Sequence, residues 1–218
     1  MNCFAHAIDY LDTPWFAVGT CIPDWLSMVD RKVRLRPKHI DPACDESGSP
    51  TDQLARGIRK HWEDDEWFHR TVAFHEVTSQ VGVLFKDAHG SEDKFRSGFV
   101  GHIATEMLID AVLSERNPGA MDHYYEAVQS IDAADVEEQI NGFGAKSTDR
   151  MQRFIKIYND EQFLRDYEFD DRLLYRLNRV LQRVRLTQLP DAASIQVGTA
   201  RGIVRDRCDD LLKQPTAT

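Results

Sequence analysis

Apolar residues recur at helical spacing along nearly the whole chain, and no segment shows the alternating β-branched pattern, bounded by turns, that marks a strand. The pattern predicts an all-α fold. A short first helix is expected around residues 3–10. Thr13-Pro14 supplies an N-cap and a first-turn proline for a second helix carrying Trp15, Phe16, Val18 and Ile22. Pro23 falls inside or at the end of that helix, where a proline breaks or kinks the backbone and tends to turn a side chain, here Asp24, toward a cleft. Residues 31–50 hold Pro37, Pro42, Gly48 and Pro50 and read as a long irregular connection. Thr51 or Asp52 is placed to cap a helix running to about His69, followed by one near 71–88 and one from about Asp93 to Arg116, stopped by Asn117-Pro118-Gly119. Further helices are expected near 119–130, 133–142, 148–167, 169–185 and 191–213, with breaks at Gly142-Phe143-Gly144 and Leu189-Pro190-Asp191.

Polar residues break this pattern in an informative way. His61-x-x-x-Asp65 and His102-x-x-x-Glu106 each set an imidazole and a carboxylate on one helix face, about a turn apart. The stretch from Ser97 to Leu113 is otherwise apolar almost all round, so His102 and Glu106 are expected on a buried helix, where both groups need partners or a cation. Gly98 and Gly101 on the same helix would admit another backbone or a substrate. For the first pair the simpler reading is a solvated face, because Lys60 to His69 is rich in charge. His69 lies one further four-residue step along that stripe. His6 and Asp24 complete a set of imidazoles and carboxylates suited to a divalent cation.

Mixed nitrogen and oxygen ligands without a thiolate cluster suit a catalytic zinc, manganese or iron site, with one or two ions, better than a structural zinc. Such ions polarise phosphoryl oxygens and activate water, so phosphoester hydrolysis is the natural expectation. Asp24 and Asp65 are the expected catalytic carboxylates. The run Arg31-Lys32-Val33-Arg34-Leu35-Arg36-Pro37-Lys38-His39 supplies candidate phosphate contacts in Arg34, Arg36 and Lys38, or a docking face for an acidic partner.

Bulk properties narrow the setting. The 218 residues fit one large domain, residues 1–116 carrying the site and 117–218 packing around it. A net charge of −9 argues against general nucleic-acid binding. Cys3, Cys21, Cys44 and Cys208 form no C-x-x-C pair, so a reduced, cytoplasmic protein is expected. No apolar run approaches the roughly 20 residues of a membrane span.

Asn2-x-Phe4-Ala5-His6, Gly19-x4-Asp24 and Gly57-Ile58-x-x-His61-x-x-x-Asp65, in short matches over about half the chain, resemble the acyl carrier protein phosphodiesterase family. That family's fold is related to the HD-domain metal phosphohydrolases. The resemblance implies an all-helical, manganese-dependent hydrolase that removes the phosphopantetheine arm from acyl carrier protein, with His6, Asp24, His61 and Asp65 at the metal. The chain departs from the family where His69 replaces a second acid, where His102-x-x-x-Glu106-Met107 replaces Asp-x-x-x-Asp-His, and where Trp62-Glu63 replaces two arginines. Ile22-Pro23-Asp24 and Gly98-x-x-x-His102-x-x-x-Glu106 are similar to the zinc-dependent phospholipase C group, which implies a phospholipid-like substrate. The competing expectations are a non-enzymatic helical protein that uses a metal or a His–carboxylate network for stability, and an adaptor that binds acidic partners.

Arg172, Arg176, Arg179 and Arg183 sit at helical spacing beside leucines and valines, most simply an amphipathic core helix with arginine stems on its flank. The four tryptophans are expected in the core or a cleft wall.

Overall fold

The computed structural model describes residues 1–89, 95–144 and 146–214. Among them there are helices and no strands. The α-helices are α1 (Cys3–Ala7), α2 (Pro14–Val29), α3 (Pro37–Ile40), α4 (Pro50–Phe68), α5 (Val72–His89), α6 (Ser97–Arg116), α7 (Ala120–Gln129), α8 (Ala133–Phe143), α9 (Met151–Glu161), α10 (Asp170–Arg183) and α11 (Ser194–Leu211), with short 3-10 turns between some of them. None of these helices is long and apolar enough to cross a membrane. The expected start of α6 at Asp93 lies outside the described residues.

Local chemistry sets the ends of these helices, and it corrects both expected N-caps. Thr13 precedes α2, but its side chain makes no capping bond, and Pro14 alone provides the start. Ser49, not Thr51 or Asp52, caps α4: its Oγ accepts from the Asp52 N–H at 3.1 Å. The Asp52 carboxylate instead accepts from the N–H groups of Glu46 and Gly48, both at 3.1 Å, and is wholly buried in holding that loop. Pro23 lies inside α2, one of its two expected positions, and does not break it: the helix continues to Val29, and the proline withholds the N–H that would have reached the Gly19 carbonyl. The expected irregular stretch 31–50 contains α3 and a 3-10 turn at Asp41–Ala43.

The chain divides into two compact units. One comprises Asn2–Asp65 and Pro118–Phe163. Its core gathers Phe4, Ile22, Trp25, Leu54, Ile58, Tyr124, Tyr125 and Tyr158, all buried. Trp25 packs on Tyr158 with ring centroids 4.9 Å apart. Helices α2 and α4 meet at Gly19 and Gly57, so closely that a Cβ built on Gly57 would stand 2.2 Å from the Phe16 carbonyl oxygen. Trp25 is core and Trp62 lines a cleft wall, both as expected, whereas Trp15 and Trp67 are partly exposed.

Burial in this unit also traps two phenols. Tyr124 and Tyr158 share a hydrogen bond of 2.6 Å and are fully buried, and desolvation holds both pKa values well above the ordinary tyrosine range. A pKa raised on folding means that the unfolded chain loses these protons first. The stability tied to the neutral phenols is complete below about pH 10 and is lost as pH rises beyond it, by about 1.4 kcal/mol per pH unit for each phenol. Alkaline titration followed by phenolate absorbance and far-UV circular dichroism is expected to show these two of the six tyrosines ionising only together with loss of helix. Simple titration of all six with helicity intact would contradict this.

The other unit comprises Met1, Glu66–Asn117 and the chain from Leu164 onward. Here α5 and α6 pack side by side, covered by α10 and α11. Gly101 allows the α5–α6 approach, since a Cβ there would lie 2.1 Å from the Thr78 carbonyl oxygen; Gly98 faces open space and has no such role. On α10, Leu173, Leu174, Leu177 and Leu181 are buried as expected, and Arg176 pairs with Asp166 at 2.6 Å. The buried Arg201 of α11 is satisfied by Asp170 at 2.7 Å and by the Tyr167 carbonyl at 2.8 Å.

Candidate metal centres

Among the described residues, six His and acidic residues converge in two triads, one in each unit: His6, His61 and Asp65, and His69, His102 and Glu106. Within each triad one ligand atom from every residue lies within 4.8 Å of the others.

The first triad is built where α1 and α4 present side chains to one another beside α2. His61 is 3% exposed and His6 is 2% exposed, so the solvated face expected for residues 60–69 is instead an interior one. The Gly19–Gly57 crossing explains the placement of His61. One residue beyond Gly19, the Thr20 carbonyl receives the His61 Nδ1–H at 2.8 Å, and this bond fixes the tautomer. The Nε2 lone pair then faces Asp65 Oδ2 at 3.5 Å. Burial, then the neighbouring His6, pushes the His61 pKa down to about 3, so this imidazole is neutral.

His6 stacks against His61 with ring centroids 4.1 Å apart. Its Nε2 lies 3.3 Å from Asp65 Oδ1 and its Nδ1 3.6 Å from Asp64 Oδ2, yet neither ring nitrogen has a hydrogen-bond partner. Burial alone would lower the His6 pKa, but the Asp64 and Asp65 carboxylates outweigh it and hold it up at about 9. Burial would likewise raise Asp65; the His6 and His61 rings overcome this and keep its carboxyl well below the usual carboxylate range.

These spacings fit a cation. Two ligand atoms about 2.1 Å from a tetrahedral ion are about 3.4 Å apart; here each imidazole approaches a different Asp65 oxygen, His6 Nε2 at 3.3 Å from Oδ1 and His61 Nε2 at 3.5 Å from Oδ2, and one ligand atom from each of the three residues lies within 4.8 Å of the others. The His61–Thr20 bond is the outer support that metal-binding histidines ordinarily have.

Asp24 stands outside the converging atoms. It is half-buried on α2, receives the Cys3 thiol at 3.7 Å and contributes to the raised His6 pKa. Asp64, which the sequence reading did not select, is 5% exposed and joins Lys60 to His6.

The second triad has a different character. His69 Nε2 and His102 Nε2 both reach Glu106 Oε1, at 3.0 and 3.1 Å, with the two rings stacked 5.0 Å apart. These are ordinary hydrogen-bond lengths. Burial favours a neutral Glu106, but the Met1 ammonium, 3.1 Å from the same Oε1, and after it the imidazoles of His102 and His69 hold its carboxyl well below the ordinary value. The buried setting expected for His102 is only partly found: its side chain is 38% exposed, though Glu106 is 14% exposed and the rest of α6 is well covered. His69 also departs from expectation, because α4 ends at Phe68 and places it in the following turn.

Arg34, Arg36 and Lys38 do not enter the first triad. Together with Arg31, Lys32 and Lys146 they line an open basin of about 480 Å³, with His39 at its wall. A neighbouring pocket of about 470 Å³ is lined by Pro23 and Trp62, next in the chain to Asp24 and His61. No protein-family model, curated protein or solved structure matches this chain, and the geometry of the site carries the functional reading.

Proposed function

We propose that the protein is a metal-dependent phosphoester hydrolase whose principal ion is held by His6, His61 and Asp65. The observation that carries this reading is the pairing of a neutral His61, tied through Nδ1 to Thr20, with a buried His6 whose two nitrogens lie beside carboxylates without hydrogen-bonding to them. A neutral imidazole lone pair and a carboxylate oxygen face one another at 3.5 Å, an arrangement that favours a positive charge between them.

A divalent cation bound there supplies charge neutralisation and polarisation of a phosphoryl oxygen. The chain's own groups supply the rest. Thr20 fixes the His61 ring, Asp64 and Lys60 fence His6, and Asp65 contributes an ionised carboxylate. Asp24 is the carboxylate assigned to take the proton of the attacking water, since it adjoins His6 without occupying the triad. The resemblance of residues 2–65 to the acyl carrier protein phosphodiesterases supports acyl carrier protein as a diester substrate, and the likeness of Ile22-Pro23-Asp24 and Gly98-x-x-x-His102-x-x-x-Glu106 to the zinc-dependent phospholipase C group supports a phospholipid-like one. Manganese, zinc and iron all suit the donor set.

For the second triad a specific observation favours another role. Both imidazoles already share one Glu106 oxygen at hydrogen-bond distance, so this group serves as a stabilising His–carboxylate network that can also accept a second ion.

The test is turnover of a generic phosphodiester, bis(p-nitrophenyl) phosphate, by protein reconstituted with each metal in turn. Metal-dependent cleavage reduced at least about 100-fold in Asp24→Asn, with metal content unchanged, is the expected result. Fully metal-loaded protein that cleaves neither this diester nor a panel of phosphomonoesters and phospholipids would overturn the hydrolase reading and leave a structural metal.

A further inference from the structure

The basin beside the site holds an unusual balance of charge. The protein carries nine more acidic than basic residues, and elsewhere many of its arginines pair with carboxylates, among them Arg59 with Glu63, Arg116 with Asp209, Arg205 with Glu115 and Arg207 with Glu76. In the basin the pattern reverses. Among the described residues, Arg31, Lys32, Arg34, Arg36, Lys38 and Lys146 form no ion pair with a carboxylate, and no acidic side chain lines the cavity. Arg31 and Arg34 direct their Nε–H groups to the Ser27 and Arg31 carbonyls, a use that engages neither pair of terminal guanidinium nitrogens. At the wall, His39 Nδ1 is buried without a hydrogen-bond partner. Six exposed cations gathered around one concavity make a strongly positive local field, which favours an anion carrying several charges over a single phosphate charge.

The adjoining pocket adds a second requirement. Pro23, Leu26, Val33, Leu35 and the half-exposed Trp62 indole form its apolar walls, and Arg31 and Arg34 line both cavities. A guanidinium shared between an anion basin and an apolar slot stacks well on an aromatic plane, whereas an aliphatic chain would desolvate it without return. Both cavities have the size of small-molecule sites. The concave shape and the strongly negative remainder of the chain favour a short, highly charged anion over a long polyanion.

We propose that the two cavities together bind an organic polyphosphate carrying an aromatic group, of which a nucleoside triphosphate is the simplest example, with the phosphates in the cationic basin and the ring against Trp62. As a substrate assignment this rests on the metal-hydrolase reading, through the chain neighbours Pro23–Asp24 and His61–Trp62; as a binding site it does not.

The experiment is equilibrium dialysis at low salt, without added metal, using adenosine triphosphate, inorganic tripolyphosphate and octyl phosphate as probes. Adenosine triphosphate is expected to bind about tenfold or more tighter than tripolyphosphate, and both much tighter than octyl phosphate. The exposed pair Arg36→Ser and Lys38→Ser should weaken both polyphosphates about tenfold or more, with a shallower salt dependence. Trp62→Ala should bring adenosine triphosphate down to the affinity of tripolyphosphate and leave the latter unchanged. His61→Ala should keep this binding, so that a failed hydrolase reading and a failed binding site give different results. The proposal falls if octyl phosphate binds best, if neither polyphosphate binds, or if the basin variants bind as the parent does. It also falls if polyglutamate binds where tripolyphosphate does not, which would make the basin a docking face for acidic proteins.

Discussion

Gly57→Ala is expected to destabilise the unit that carries His6 and His61 by about 3 kcal/mol or more, at or beyond the upper end of ordinary overpacking. The added methyl would lie 2.2 Å from the Phe16 carbonyl oxygen and 2.8 Å from the Gly19 Cα, all backbone on two packed helices, so no flexible side chain can give way. Relief requires α2 and α4 to separate. The effect would reach the site, because Thr20 follows Gly19 and His61 lies one turn beyond Gly57; separation would stretch the 2.8 Å bond that orients the ring. Gly202→Ala is the control, since a Cβ on that helical glycine of α11 meets nothing within 4 Å and should leave stability unchanged or raise it by up to about 1 kcal/mol. Denaturant unfolding of the two variants decides the matter. A Gly57→Ala protein as stable as its parent would mean that the α2–α4 approach is looser than described.

This dependence on glycine shows where the fold was legible in the chain and where it was not. Helical periodicity is local, and it located the helices from the spacing of residues such as Leu173, Leu177 and Leu181, to within a turn in most cases. Which glycine meets another helix is a property of tertiary packing. Gly98 and Gly101 look alike in sequence, but only at Gly101 would a Cβ strike the Thr78 and Gly82 backbone. Helix ends were less legible for a related reason. Ser, Thr and Asp are all good caps, and at α4 the choice fell to Ser49 because Asp52 is committed to the preceding loop.

The candidate site was partly legible. Four-residue spacing identified both His–carboxylate pairs, and the structure gives each a third member, His6 and His69. The depth of the pairs was misjudged. The charge run Glu63-Asp64-Asp65-Glu66 resembles a solvated face, but a helix has several faces, and residues 61, 64 and 65 share the one that α1 and α2 cover. Asp64 could have been found by that argument, because it lies three residues after His61 and four after Lys60. The Thr20 carbonyl could not, because every residue has one and only packing selects it. The basic run was seen, but its placement in a basin apart from the first triad depends on the course of residues 31–40 after α2.

The sharpest consequence is for metal content. Elemental analysis after reconstitution with manganese, iron or zinc is expected to find one ion fewer per chain in His6→Ala and in His61→Ala than in the parent, with affinity reduced at least about 100-fold. Each substitution removes one of the three converging protein ligands, and His61→Ala also frees the Thr20 carbonyl. Far-UV circular dichroism separates loss of a ligand from loss of the fold, since α1 and α4 should remain helical in a variant that has lost only the ion. His102→Ala provides the internal comparison. It dismantles the Glu106 group alone and should leave the His6–His61–Asp65 ion in place. Retention of full metal in His61→Ala, with helicity intact, would refute the first triad as the principal centre. Failure of the parent to take up any of the three metals would leave the buried His6 as the proton-bearing member of a structural network, with the 3.5 Å approach of His61 to Asp65 compensated by that proton alone.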